Sequence, residues 1–118
     1  MKKSSFCFLI IFFICINSFA AEKDNSVKTA LLLIDIQNFY FPGGRLPLVN
    51  PEKTSLKAQQ LLNHFRKEKK LIIHIRHNSK SGSEIHKNVK PLPEEIVISK
   101  NHANGFRETD LLDFLKKN

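Results

Sequence analysis

The stretch that most constrains this chain is an apolar run broken by one acid. Residues 30–36 place six aliphatic or Ala side chains around the single carboxylate of Asp35, and an aromatic, Gly-containing loop follows immediately. A run this short, bounded by polar residues, fits a strand buried on both faces of a parallel sheet better than a half-exposed one. Ligands of open α/β sheets bind beyond the carboxyl ends of the strands, where Asp35 would stand. Asp35 therefore has two readings: a catalytic or ligand-orienting acid at a strand tip, or a strand-end Asp that caps a turn.

The 118 residues allow one domain at most. The first 20 read as a secretory signal peptide. Met1-Lys2-Lys3 is a basic start, residues 6–16 are unbroken apolar, and Ser18 and Ala20 are the small residues a signal peptidase reads. The apolar segment is far shorter than the ~20 residues a membrane span needs. Cleavage after Ala20 implies an exported, periplasmic or secreted protein that keeps no membrane segment. It lowers the formal net charge from +8 to +6 and removes both cysteines, Cys7 and Cys15. The mature chain then has neither a disulfide nor a thiol nucleophile. The basic run at residues 66–70 falls at the end of a predicted helix, where cations meet the helix dipole favourably, so nucleic acid is not expected as a partner.

After a polar leader at residues 21–28, the pattern predicts a strand over 29–36 and a Pro- and Gly-containing loop over 37–49. Asn50 is the expected N-cap of a helix over 52–68, with Pro51 at its first position. Ala58, Leu61, Leu62 and Phe65 recur on one helical stripe. A strand over 71–76 completes a βαβ unit, expected to be parallel and right-handed. Residues 77–93 read as a long loop with room for a turn of helix, and residues 95–99 as a third strand. Thr109 is positioned to cap a helix over 110–117 whose apolar face carries Leu111, Leu112, Phe114 and Leu115. Parallel strands would bring Asp35 and Lys100 to one edge of the sheet. Those two groups read either as an acid and base sharing a pocket or as unrelated surface charges.

Two blocks of sequence resemble a known family. ALLLIDIQNFYFPGG is similar to the opening strand and loop of the isochorismatase-like cysteine hydrolases, a group that includes nicotinamidases. GSEIHKNVKPLPEEIVISKNHANGFRETDLLDFL resembles a later block of the same family. The resemblance covers residues 29–118 and implies an incomplete doubly wound, Rossmann-like three-layer α/β fold, with about three strands and two main helices present. It also implies hydrolysis of amide-like or related bonds in small molecules by an Asp-Lys-Cys triad, without a cofactor. Asp35 matches the family's acid and Lys100 its lysine. Gln37 and Tyr40 match positions near the substrate, and Phe39 stands where an acidic residue is frequent. The family's cysteine lies after a fourth strand, beyond the helix at 110–117, so the chain is expected to be an N-terminal part, inactive alone. The metal-binding members carry Asp-x-His after strand two, where this chain has Arg76-His77-Asn78-Ser79, so no metal is expected. His74 reads as a packing residue, and His77 and His86 as loop ligands or solvated loop histidines. In the family's sheet order the fourth strand pairs with strand one. Without it, strand one becomes an apolar edge, for which self-association or a complementing second chain is the expectation; the alternative reading is a non-catalytic binding domain that keeps the half-pocket and takes an anionic partner through its positive surface.

Overall fold

The Val-, Ile- and Leu-rich segments form three parallel strands in the computed structural model, which describes residues 28–118. The signal-peptide reading and residues 21–27 of the leader lie outside the described residues. β1 (Ala30–Ile34) is followed by a 3-10 turn at Asn38–Tyr40 and by α1 (Pro51–Lys67). β2 (Leu71–His77), a second 3-10 turn at Lys87–Val89, β3 (Ile96–Lys100) and α2 (Leu111–Lys117) complete the order. The strands lie side by side as β1-β2-β3, with Ala30 opposite Leu71 and Ile73 opposite Ile96. Among the described residues, β1 pairs only with β2 and so forms one edge. No helix of the described residues is long and apolar enough to cross a membrane.

Strand side chains alternate, so the two faces of the sheet feed two separate cores. Leu31, Leu33 and Ile72 pack with Leu62, Ala58 and Phe65 of α1. Ile73 and Ile75 pack with Leu111, Phe114 and Leu115 of α2 on the other side. The result is three layers, helix on sheet on helix, as the double-sided apolar pattern of the strands requires.

Local details depart from the sequence reading in instructive ways. Leu61 is exposed rather than part of the α1 stripe, because Ser55 and Leu62 define the buried face and put Leu61 on its flank. Asn50 is left-handed (φ 52°, ψ 42°) and makes no side-chain cap. Leu112 is likewise exposed. Thr109 caps α2 from one residue outside it, its Oγ1 accepting from the Leu111 N–H at 3.4 Å.

Glu95, expected inside the third strand, precedes it and turns its side chain inward. Arg66 donates through Nε (2.7 Å) and Nη2 (2.9 Å), the Leu92 N–H donates at 3.0 Å, and His74 Nε2 lies at 2.8 Å. This carboxylate ties the end of α1 to the middle of β2 and the entry of β3. His74 is buried in the core, as expected of a packing histidine. Its Nε2 faces a carboxylate, which fixes the Nε2–H tautomer and leaves Nδ1 without a partner.

The cluster makes folding acid-sensitive. Burial alone would raise the Glu95 carboxyl, but the bonds from Arg66, Leu92 and His74 outweigh it and hold the group at about 2 instead of 4.5. Burial lowers His74 despite its bond to Glu95. Both groups therefore bind fewer protons folded than unfolded, so both contribute stability at neutral pH that is lost as pH falls. The urea midpoint is expected to drop first below pH 6.5, as His74 charges in the unfolded chain, and again below pH 4.5. Glu95→Gln should cost about 2 kcal/mol at pH 7 and flatten the lower limb. A midpoint independent of pH between 7 and 3 would refute this account.

Candidate active site

Asp35 immediately follows β1 and Lys100 ends β3, with β2 lying between them. Two strand spacings amount to ~10 Å. Lys100 sits on the same face as Ile96 and Ile98, and its long stem crosses the end of β2 to place Nζ 2.8 Å from Asp35 Oδ2. The same ammonium lies 3.2 Å from the His102 carbonyl and 3.4 Å from that of Ala103, so its three hydrogens each have an acceptor. Only 1 % of the Lys100 side chain is exposed, against 26 % of Asp35.

The backbone presents Asp35 by leaving the strand at that residue. Its N–H still donates to Ile75 O at 2.8 Å, but its φ is 57°. Asp is one of the few side chains that enters this left-handed region at modest cost. Asp35 Oδ1 is shielded from water and has no hydrogen-bond partner. The carboxylate thus keeps acceptor capacity that the described residues do not use.

Gln37, expected near substrate, is fully buried with its amide engaged by backbone. Nε2 donates to His77 O (2.9 Å) and Ser83 O (2.7 Å), and Oε1 accepts from the His77 N–H (2.8 Å). This arrangement assigns the amide orientation unambiguously, since carbonyls need a donor and the N–H needs an acceptor. Gln37 therefore pins the loop after β1 to the end of β2 and to residues 82–85. The Asn38 N–H donates to Glu84 O, and the Phe39 N–H to Gly82 O. Phe39, at the position where an acid is frequent, is buried at this seam. A Cβ on Gly44 would stand 2.5 Å from the Phe39 carbonyl oxygen, and one on Gly82 (φ 65°) 3.0 Å from Phe39 Cβ.

Tyr40 shares a cavity with Asp35. Both line a cavity of about 280 Å³ with Ile34, Phe41, Leu48 and Val49. Phe41 is backed by His86, whose ring stacks on it at 3.5 Å and 1°. His86 Nδ1 also accepts from the Asn88 N–H at 3.4 Å, and burial lowers the pKa of the ring. This packing removes His86 from the set of free loop ligands. Among the described residues no three His, Cys, Asp or Glu side chains come together as a metal site. Sequence reasoning missed the carbonyls of His102 and Ala103, which carry no side-chain signature. It also missed Phe41, although the aromatic run 39–41 signals an aromatic wall.

A family model described as the isochorismatase domain matches residues 29–118. An uncharacterized isochorismatase family protein of Bacillus subtilis, YddQ, is 45% identical over 72% of this chain and 53% of its own length. The crystal structure of an isochorismatase-type hydrolase from Oleispira antarctica superposes with a TM-score of 0.73 at 36% identity, covering 76% of this chain and 55% of that one. A pyrazinamidase of Pyrococcus horikoshii, solved in complex with zinc, gives 0.65 at 26% identity over 75% of this chain and 64% of that chain. The chain spans about half the length of the curated relatives it matches.

The unequal exposure of the ion pair predicts unequal costs. Asp35→Asn keeps a side chain suited to φ 57° but strands a buried ammonium, and should destabilise by about 3–5 kcal/mol. Lys100→Met leaves a carboxylate that water still reaches and should cost less. Adding Lys100→Met to Asp35→Asn should recover most of the loss in a urea-unfolding double-mutant cycle. Strictly additive effects would mean that the two groups are not coupled.

Proposed function

This chain belongs to the isochorismatase family, and on that premise we propose that it carries the acid and lysine of a cysteine hydrolase acting on amide-like bonds of small molecules. The observation that supports this reading is the Asp35–Lys100 pair, closed on its lysine side and with a spare carboxylate oxygen, at the edge of an apolar cavity. In the proposed reaction Asp35 takes the proton of a thiol. The thiolate adds to the substrate carbonyl carbon, and the proton passes to the leaving nitrogen as the C–N bond breaks. Water then hydrolyses the thioester, returning the thiol and releasing the acid. Lys100 holds Asp35 in place and keeps a positive charge close to the developing thiolate. Tyr40 and Phe41 would flank the body of the substrate, and Gln37 would hold the loop that carries them.

Residues 29–118 contain no cysteine. The nucleophile is therefore proposed to come from outside these residues, whether from the same polypeptide or from a complementing chain. The edge of β1 left unpaired among the described residues is the natural place for such a segment to pair, and self-association through that edge is the alternative use of it. Export by way of residues 1–20 is part of the same proposal.

Residues 21–118 alone should hydrolyse no member of a panel of small primary carboxamides above the buffer rate. Co-folding with the Cys-bearing half of the Bacillus subtilis relative should restore turnover, and Asp35→Asn should then abolish it. Turnover by residues 21–118 alone that needs Asp35 and resists thiol reagents would overturn the proposal.

A further inference from the structure

The end of the sheet opposite Asp35 carries a second feature. A cavity of about 580 Å³ where α1 ends and β2 and β3 begin adjoins one of about 590 Å³ between α1 and residues 87–93, and the two share Arg66 and Leu92. Together they form a groove. Lys69 and Lys70 line it on one side, and Lys87 and Lys90 on the other. Among the described residues, none of these four ammonium groups lies within ion-pair distance of a carboxylate, and Glu94 is the one side-chain carboxylate in the lining besides Glu95, with Asn118 also in it. The helix dipole accounts for cations at the end of α1, but Lys87 and Lys90 belong to a different segment and gain nothing from it.

The groove also discriminates between kinds of anion. Arg66, the only guanidinium in it, is already bound through two nitrogens to Glu95 and through one of them to Lys90 O, so no planar fork is left for a phosphate. The remaining cations are lysines, which act as point charges on flexible stems, with Lys70 Nζ also lying 5.7 Å from the centre of the Phe65 ring. The floor between them is apolar: Leu71 and Ile96 line one cavity and the half-exposed Leu92 lines both. A sugar polymer or a nucleic acid backbone would satisfy the lysines but leave this floor wet. An extended peptide with alternating carboxylate and aliphatic side chains would meet both.

We propose that this groove docks an acidic, aliphatic-containing peptide segment of a partner protein. The carboxylates pair with Lys69, Lys70, Lys87 and Lys90, and the aliphatic side chains cover Leu92 and Ile96. The surface is independent of the hydrolase reading, because it uses none of the residues around Asp35.

The test is fluorescence anisotropy with a labelled ten-residue peptide of alternating Glu and Leu, with a heparin-derived oligosaccharide as competitor. Binding should be saturable and should weaken as salt rises, since exposed charges are screened. The double variant Lys69→Glu/Lys90→Glu should weaken it at least tenfold. Lys53→Glu/Lys57→Glu, on another face of α1 with the same change of net charge, should leave it within twofold. Leu92→Ser, at an exposed position with circular dichroism as the fold control, should weaken peptide binding with its salt dependence unchanged. Equal losses in the two lysine pairs, no effect of Leu92→Ser, or an oligosaccharide that displaces the peptide at equal concentration would each overturn the assignment.

Discussion

The Lys100–Asp35 pair spans all three strands, and the site is built around the need to keep that charge matched. A buried ammonium without a partner costs several kcal/mol, so the register of β3 against β2 and the exit of the chain from β1 are both coupled to this contact. Ile34 opposes Ile75 and Ile75 opposes Ile98, so β3 runs two residues past the end of β1 before it reaches Lys100 opposite His77. Asp35 then has to leave the strand at once for its carboxylate to turn toward Nζ, and it does so through a left-handed backbone. The carbonyls of His102 and Ala103 complete the ammonium's coordination from the other side. Any slip by one residue would send Lys100 to the opposite face of the sheet.

The loop after β1 is held as firmly as the pair itself. Gln37 spends its amide on three backbone bonds, and the seam between residues 37–39 and 82–85 closes around Phe39. Gly44 and Gly82 allow the backbone to approach Phe39 more closely than any side chain would permit. Tyr40 and Phe41 are thereby set against Asp35 with little freedom, and the His86 ring stiffens Phe41 from behind. A site whose non-reacting wall is fixed in advance loses less on binding a small molecule.

What could be read from the sequence followed how local each signal was. The double-sided apolar runs at 30–36 and 71–76 and the stripe through Ala58, Leu62 and Phe65 are short-range patterns, and they specified the three layers. The meeting of Asp35 with Lys100 was legible as two charged strand ends on one edge, although their separation by β2 was not, because strand order is a long-range property. Tyr40 lines one cavity with Asp35, while the saturation of Gln37 depends on the 77–85 segment folding back, which no local pattern encodes. Glu95 shows the same limit. Its position before β3 reads as a strand residue until Arg66 and His74, contributed by two other elements, draw it inward. Asn50 misled because Asn favours both N-caps and left-handed backbone, and the tertiary path chose the second.

The two buried ionic clusters differ in a way that separates structure from chemistry. At Glu95, both carboxylate oxygens are taken, by a guanidinium, an imidazole and a backbone N–H, and the group sits far below its ordinary range, locked as an anion. Such a carboxylate has no capacity left to accept a proton or bind a ligand, and serves as a clamp. At Asp35 one oxygen faces Lys100 and the other has no partner among the described residues, beside a cavity and next to β1, whose outer edge is unpaired among the described residues. Leaving a buried acceptor unmatched costs about 1–3 kcal/mol, a cost that the Glu95 cluster shows the fold can avoid. Among the described residues the other unmatched buried side-chain atom, His74 Nδ1, lies inside the packed core with Nε2 committed to Glu95. Among the acids of the described residues Asp35 combines an unmatched oxygen with a place in the lining of a cavity, and a positioned acceptor is what the proposed base requires.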